Sequence, residues 1–179
     1  LKDQVAPGAK VLICGAQALA DCVKDAGFEP VWKQNDSPSA VVQGFNPELG
    51  WADLAEAAFT LSDPDIVWVA SNTDLTIPKE RGIAPGNGTL VNAVATATGR
   101  TPLVAGKPES AIFTTGAKKL KSSQALVVGD RLDTDIQGGN RAQMATACVL
   151  TGVDTVESVL AAIPLERPTY LLKNLGELF

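Results

Sequence analysis

Short apolar runs alternate with helical segments along this sequence, and this alternation constrains the fold more than any other feature. Strand-sized apolar runs occupy residues 11–14, 66–70 and 125–128, and the segments between them carry apolar residues at helical spacing. Most connections are short, which is typical of parallel strands joined by helical crossovers. We therefore predict an α/β fold.

A long segment rich in proline and glycine, residues 71–88, interrupts this alternation. It is predicted to be a loop, followed by a helix that Thr89 caps and that runs to about Thr98. Chemically informative residues cluster after this helix, so we predict a boundary near residue 100, with one domain over residues 1–100 and a second over residues 101–179.

Composition and charge exclude several classes of function. The 179 residues include no histidine, which rules out Ser-His-Asp and Cys-His catalysis and imidazole-based zinc sites within the chain. The net charge is −5, so no nucleic-acid partner is expected. No apolar run approaches the roughly 18 residues that cross a membrane. Cys14 and Cys148 lie in apolar strand patterns and are predicted to be buried thiols in a reducing, cytoplasmic setting.

Two charged residues follow neighbouring predicted strands. Lys107 stands between a strand and a helix, and Asp130 directly follows the next strand, with Asp135 at the start of another helix. In a right-handed crossover the two strands are parallel near neighbours, so their loops open at the same sheet edge. A lysine beside carboxylates suits a phosphate together with a hard metal ion such as Mg²⁺.

Five short strings occur in a fixed order over this region. They are Ala-Ser-Asn-Thr-Asp at 70–74, Ala-Pro-Gly-Asn-Gly-Thr-Leu at 84–90, Thr-Gly-Arg at 98–100, Val-Ala-Gly-Lys-Pro at 104–108 and Val-Gly-Asp-Arg-Leu-Asp-Thr-Asp-Ile at 128–136, and Thr-Gly-Val follows at 151–153. In these strings the chain resembles the haloacid dehalogenase (HAD) superfamily of phosphatases. The closest branch contains p-nitrophenyl, phosphoglycolate, glycerol-phosphate and pyridoxal-phosphate phosphatases. The first part of the chain, through Gly44-Phe45-Asn46, resembles more loosely the inserted cap domain of that branch.

The resemblance implies an architecture and a mechanism. The chain would hold an inserted α/β cap and the C-terminal half of a Rossmann-like HAD core. In this family an aspartate attacks phosphorus to form an aspartyl-phosphate, and a second aspartate acts as general acid and base. Lys107 would hold the phosphoryl group, Asp130 would be a direct Mg²⁺ ligand, and Asp135 would orient a ligand of the metal from behind.

Three other residues carry weaker implications. Asn72 and Asp74 fall where the family's cap meets the substrate mouth, and the alternative is that they are turn residues that satisfy loop backbone. Asp133 matches only part of the branch, and the alternative is a surface or capping carboxylate. The expected partner is a small phosphorylated metabolite, and the resemblance leaves open a homodimer formed through the cap.

The family's first motif, Asp-x-Asp-Gly after a strand, is missing from the sequence. Asp63-Pro64-Asp65 has the spacing but precedes a strand and lacks the glycine. We therefore expect the nucleophile to lie upstream and this chain alone to be inactive. Three explanations stay open: a fragment of a complete phosphatase, a missing part supplied as another chain, or a relative without catalytic activity that serves as an α/β binding module. Pro85-Gly86-Asn87-Gly88 lacks the Lys-Ser/Thr ending of a P-loop, so it is interpreted as a structural connection.

Overall fold

The computed structural model describes residues 1–178 and divides the chain into two compact units. The first is Leu1–Val104, and the second begins at Ala105. Each unit contains a parallel β-sheet with helices beside it, which confirms the predicted α/β class.

The elements follow the predicted alternation closely in the first half of the chain. The strands are β1 (Lys10–Cys14), β2 (Glu29–Val31), β3 (Ala40–Gln43), β4 (Val67–Ala70), β5 (Thr76–Lys79), β6 (Gly82–Pro85), β7 (Leu103–Val104), β8 (Leu126–Gly129), β9 (Ala145–Val149) and β10 (Tyr170–Leu172). The α-helices are α1 (Gln17–Asp25), α2 (Trp51–Thr60), α3 (Asn87–Thr98), α4 (Ala111–Lys119), α5 (Gln137–Arg141) and α6 (Val156–Ala161).

The first sheet is covered on both faces. Its strand order is β2-β1-β3-β4-β7, with every pair parallel. Successive residues point to opposite faces of a strand, so Leu12 and Val41 pack with α2 and α3, while Val11 and Val42 pack with α1. This double burial explains why its central strands read as continuous apolar runs.

The second unit is built on a smaller parallel sheet with the order β10-β9-β8. Among the described residues β8 is therefore an edge strand, and its Leu126 and Val128 side chains are exposed. The core of this unit includes Leu132 and Ile136, which pack against Cys148 of β9. The carboxyl ends of β8 and β9 both lead into the loops that carry the candidate active site.

The predicted loop over residues 71–88 is wrong in part, because it contains a β-hairpin. Strands β5 and β6 pair antiparallel, with Thr76 opposite Pro85 and Lys79 opposite Gly82. Only Glu80 and Arg81 connect them. Both strands of an isolated hairpin are edges, so Pro78 and Pro85 are tolerated there despite lacking an N–H group. The proline and glycine content that predicts a loop is compatible with such a ribbon.

The two strands that precede Lys107 and Asp130 were predicted to be near neighbours in one sheet, and this is also wrong because they belong to different sheets. β7 hydrogen-bonds to β4 in the first sheet, whereas β8 hydrogen-bonds to β9. Because β7 pairs with β4, it belongs to the first compact unit, which ends at Val104.

Two helix starts also differ from the prediction. α3 begins at Asn87 after Gly86, and the Thr89 hydroxyl donates instead to the Leu75 carbonyl at 2.6 Å. The helix predicted to start near Asp135 begins as a π-helical turn, Leu132–Ile136, which we call the π turn, and continues as α5. A π turn inserts a residue into the helical hydrogen-bond pattern, and such turns are frequent at functional sites.

The cysteine thiols and the lengths of the helices bear on two further predictions. Cys14 and Cys148 are free and buried, as expected, whereas Cys22 is exposed. Within residues 1–178, every helix is too short or too polar to cross a bilayer.

Candidate active site

Asp130 directly follows β8 and is held by the loop after β9. Its Oδ2 accepts a hydrogen bond from the Val153 backbone N–H at 3.0 Å. A Cβ atom at position 152 would overlap the Asp130 carboxylate, so only glycine lets the two loops approach this closely. The Thr151-Gly152-Val153 string therefore shapes the surroundings of Asp130.

Asp135 lies on the π turn and is 9% exposed. Its Oδ2 accepts from the Arg131 N–H at 3.2 Å, and its Oδ1 accepts from Lys107 Nζ at 2.9 Å. A Cβ at Gly129 would overlap the Asp135 side chain, so the end of β8 must also be free of a side chain there. Both carboxylate oxygens are thus oriented by named donors.

The Lys107–Asp135 ion pair brings two of the predicted site residues together. Their side chains are 30% and 13% exposed, so water screens the pair less than it would on the surface. Lys107 and Asp135 are 28 residues apart in the chain. Together with Asp130 they form a lysine and carboxylate cluster within the second unit, at the carboxyl end of β8.

The Cys148 thiol, near the end of β9, lies close enough to this cluster for the carboxylates to affect its pKa. Burial raises the pKa of Cys148, and the nearby carboxylates of Asp154, Asp130 and Asp135 raise it further. Three carboxylates therefore face the same end of the small sheet. A cluster of this kind binds cations and repels an unneutralised phosphate ester.

The residues present fit magnesium in part. Mg²⁺ prefers oxygen ligands and is commonly held by one or two carboxylates together with water and substrate phosphate. Asp130 offers such a carboxylate, and Asp135, with both oxygens engaged, suits an indirect role. No group of three or more acidic or cysteine side chains that could hold a metal ion by itself occurs in the described part of the chain.

Asp133 has the environment of a surface residue. Its carboxylate is 53% exposed and forms an ion pair with Arg131, with the nearest nitrogen and oxygen 3.0 Å apart. The structure thus agrees with the interpretation of Asp133 as a surface carboxylate.

Asn72 and Asp74 share a tight turn in the first unit. Oδ1 of Asn72 accepts from the Asp74 N–H at 3.2 Å, and the Asn72 carbonyl accepts from Asn87 Nδ2 at 2.7 Å. A Cβ at Gly86 or Gly88 would overlap the carbonyls of Asp74 or Thr73. This packing makes the Gly-Asn-Gly string a structural connection, as predicted, and gives Asn72 a turn role. A substrate role for Asn72 and Asp74 stays a prediction.

Sequence reasoning missed Asp154. Its Oδ2 accepts from the Leu132 N–H at 2.7 Å, which links the loop after β9 to the first residue of the π turn. The only signal in the sequence was its position directly after the Thr-Gly-Val string, and that position gives no indication of which amide it contacts.

Comparison with known proteins identifies the family. Residues 104–178 match the HAD-hydrolase-like family model. The D-glycerol 3-phosphate phosphatase of Mycobacterium tuberculosis is 49% identical over 178 residues, which make up 99% of this chain and 50% of that protein. The chain therefore spans about half the length of this relative.

Solved structures agree with this match. Crystal structures of glycerol phosphate phosphatase from Mycobacterium tuberculosis, in complex with calcium and with magnesium, match with TM-scores of 0.94 and 0.93 at 49% identity. They cover 98% of this chain, which corresponds to 52% and 54% of those proteins. The p-nitrophenyl phosphatase from Archaeoglobus fulgidus matches with a TM-score of 0.82 at 31% identity, over 96% of this chain and 66% of that one.

The fold, the lysine and carboxylate cluster and these matches make the chain a member of the HAD-like hydrolases, as its motifs predicted. Its relatives within that family are the glycerol-phosphate and p-nitrophenyl phosphatases, the branch that the motifs indicated.

Proposed function

We propose that this chain is the C-terminal part of a magnesium-dependent phosphatase that hydrolyses phosphomonoesters of small metabolites. The observation that carries the proposal is the Lys107–Asp135 ion pair beside Asp130, inside the segment that matches the HAD-like family. The similar proteins include glycerol 3-phosphate, acid sugar and p-nitrophenyl phosphatases, which supports phosphomonoester hydrolysis as the reaction.

Lys107 supplies the positive charge that a phosphate ester needs. The negative charge on a transferring phosphoryl group is spread over three oxygens, and a fixed cation beside them stabilises the transition state. The ion pair with Asp135 at 2.9 Å fixes the position of the ammonium group before substrate binds. Lys107 thus acts as a preorganised phosphoryl-binding residue.

Asp130 is the residue that would hold magnesium directly, and Asp135 would orient a water or ligand around it. Mg²⁺, when bound, neutralises charge on the phosphoryl oxygens. The hydrogen bond from the Val153 N–H fixes the Asp130 carboxylate, and the bonds from Lys107 and the Arg131 N–H fix that of Asp135. Fixed carboxylates lose little freedom on binding an ion.

The nucleophile and the general acid belong to the part of the protein upstream of this chain in our proposal. Asp63 and Asp65, the remaining pair with the right spacing, lie in the turn before β4, where Asp63 Oδ1 accepts from the Asp65 N–H at 2.9 Å. They precede a strand, whereas the family motif follows one. The exposed edge of β8 and the coverage of half the relative's length are consistent with further core strands upstream.

The first unit is the substrate-selecting cap in this proposal, with Asn72 and Asp74 at the substrate mouth. Glycerol 3-phosphate is the first substrate to test, because a relative 49% identical to this chain carries that activity in its name. A cytoplasmic location and a homodimer formed through the first unit complete the proposal. The buried free thiols support the former, and the family resemblance supports the latter.

The test uses the full-length protein with its upstream segment. We expect Lys107→Ala to lower kcat/KM for glycerol 3-phosphate and p-nitrophenyl phosphate about 100-fold or more, because one charged transition-state donor is lost. Asp130→Asn should weaken the dependence of the rate on Mg²⁺. Lys119→Ala, at an exposed lysine at the end of α4, is the matched control and should leave the rate unchanged.

If the Lys107→Ala variant hydrolysed both substrates at the wild-type rate, the proposed role of Lys107 in phosphoryl binding would be wrong. A folded full-length protein that hydrolyses none of a panel of phosphomonoesters would instead favour the second candidate, a HAD-like α/β binding module without catalysis.

A further inference from the structure

Three hydrogen bonds join the loop after β9 to the loop after β8. Val153 N–H donates to Oδ2 of Asp130 at 3.0 Å, and Asp154 N–H donates to the carbonyl oxygen of Asp130 at 3.1 Å. The third runs in the opposite direction, from the Leu132 N–H to Oδ2 of Asp154 at 2.7 Å. Two of these bonds hold Asp130, and the third holds the first residue of the π turn.

Only the third bond depends on a side chain of the loop after β9. Any residue other than proline at positions 153 and 154 supplies the two backbone donors. The Leu132 N–H, in contrast, belongs to a residue that is 5% exposed and that opens a helical turn. The first N–H groups of a helical turn lack partners inside the turn, so an external acceptor must satisfy them. The Asp154 carboxylate is that acceptor.

The position of this bond links it to both proposed site carboxylates. Asp130 lies two residues before Leu132, and Asp135 lies on the π turn that Leu132 begins. The loop that carries Asp154 also holds the Asp130 carboxylate through the Val153 N–H. A shift of the π turn would therefore move Asp135 relative to Asp130.

We propose that Asp154 is a positioning residue that locks Asp130 and Asp135 into one arrangement by accepting the Leu132 N–H bond. This inference rests on the proposed function, because it assigns Asp154 to the support of the proposed magnesium site. Asp154 itself touches neither substrate nor metal in this role. Residues that orient metal ligands in this way commonly change metal affinity 10- to 100-fold when they are replaced.

The experiment compares four variants in the full-length protein. Asp154→Ala removes the acceptor, and Asp154→Asn keeps an oxygen acceptor without the charge. Asp154→Glu displaces the carboxylate by one methylene and serves if the alanine variant fails to fold. Glu177→Ala is the matched control, because the Glu177 carboxylate accepts from the Lys173 N–H at 2.8 Å, the same kind of bond elsewhere in the second unit.

Two readouts are independent of turnover: the Mg²⁺ dissociation constant by calorimetry and the hydrogen exchange rate of the Leu132 amide. We expect Asp154→Ala to weaken Mg²⁺ binding about 10-fold or more and to speed exchange at Leu132. Asp154→Glu should shift both in the same direction. Asp154→Asn should stay within about 3-fold of wild type for binding, because its amide oxygen can still accept the bond. Glu177→Ala should change neither.

An alanine variant with wild-type Mg²⁺ affinity, or with unchanged exchange at Leu132, would overturn the inference. An asparagine variant as weak as the alanine variant would do the same, because charge rather than the hydrogen bond would then be responsible. Failure of the proposed function has a different signature: the wild-type protein would hydrolyse no phosphomonoester although the variants still separate in Mg²⁺ affinity.

Discussion

Two aspartates on the same turn show how far residue identity alone determines a role. Asp133 and Asp135 are separated by one residue, yet the side chain of Asp133 is 53% exposed and that of Asp135 is 13% exposed. The sequence placed both in one motif and identified Asp135 as the more informative. It could not predict that Lys107 contacts Asp135, because that contact joins residues 28 positions apart.

Arg100 belongs to the Thr-Gly-Arg string at 98–100, and the sequence did not indicate its structural role. Its guanidinium group donates to the carbonyl oxygens of Leu61, Asp63 and Ile66 at distances of 3.2, 2.8 and 2.6 Å. These carbonyls line the connection between α2 and β4, so Arg100 stabilises the turn that leads into the central sheet. An arginine provides several donors in a fixed plane, which a lysine cannot replace.

Cys14 leads to a prediction about pH. Burial raises the pKa of the Cys14 thiol to about 12, and the Asp53 carboxylate adds to the effect. The folded state therefore keeps this proton to a higher pH than the unfolded chain, whose thiol has a pKa of about 8.5. We expect its stabilising contribution to be complete at neutral pH and to decline as the pH rises from about 8.5 towards about 12. Urea unfolding at several alkaline pH values measures this decline.

The matched comparison for this prediction uses the other cysteines. Cys14→Ala should show a shallower loss of unfolding free energy with rising pH than wild type, and Cys22→Ala should follow wild type. Iodoacetamide at mildly alkaline pH should modify Cys22 in the native protein and spare Cys14 and Cys148, which are buried. Identical alkaline slopes for Cys14→Ala and wild type would contradict the assignment.

At the scale of elements, the hydrophobic pattern predicted whether a segment is a helix or a strand better than it predicted which strands pair. The strands of the first sheet were predicted because burial on both faces makes them continuously apolar. The β5–β6 hairpin was missed because its residues are mostly exposed and rich in proline and glycine, so no period-two pattern marks it. The pairing of β7 with β4 was missed because a two-residue strand carries almost no register information.

The close packing of α5 against its sheet gives a prediction about stability. A Cβ at Gly139 would lie 2.5 Å from Thr146 Cγ2 and 3.0 Å from Val127 Cβ, and both neighbours are buried. We expect Gly139→Ala to destabilise the protein by about 1–3 kcal/mol, because overpacking exceeds the helix-propensity gain of about 1 kcal/mol. Thermal unfolding of the full-length protein measures the change.

Gly116 in α4 provides the control for Gly139. Apart from the two neighbouring residues and the backbone of α4 itself, no heavy atom of the described residues lies within 4 Å of a Cβ built there. Gly116→Ala should therefore leave the thermal midpoint unchanged or raise it slightly, because alanine favours a helix over glycine. If both alanine variants shifted the midpoint equally, close packing would not be the reason that α5 carries glycine.

At the scale of the whole molecule, the chain consists of two units with very different degrees of burial. The sheet of the first unit is covered on both faces, whereas β8 in the second unit exposes Leu126 and Val128 along an edge. α4 likewise has no buried residue within the described part of the chain. Exposed apolar surface of this kind is typical of a unit that packs against something else.

The exposed apolar edge of the second unit is consistent with an incomplete catalytic core, and this leads to a prediction about activity. The 179-residue chain, purified alone, should show no measurable Mg²⁺-dependent hydrolysis of glycerol 3-phosphate or p-nitrophenyl phosphate, because in our proposal the attacking aspartate lies upstream. The full-length protein at the same concentration is the positive control, and circular dichroism checks that the short chain is folded. Robust turnover by the short chain would show that its own residues supply the nucleophile.

The sequence by itself determined the α/β class, the family and the residues that cluster near the carboxyl end of β8, because these depend on local periodicity and on ordered motifs. Tertiary structure alone decided which donors orient each carboxylate, that β7 pairs with β4, and that Asp154 contacts the Leu132 amide. The physical reason is that hydrogen bonds and strand pairing require atoms of residues far apart in the chain to lie about 3 Å from each other, within a few tenths of an ångström. No pattern in a single sequence records those distances.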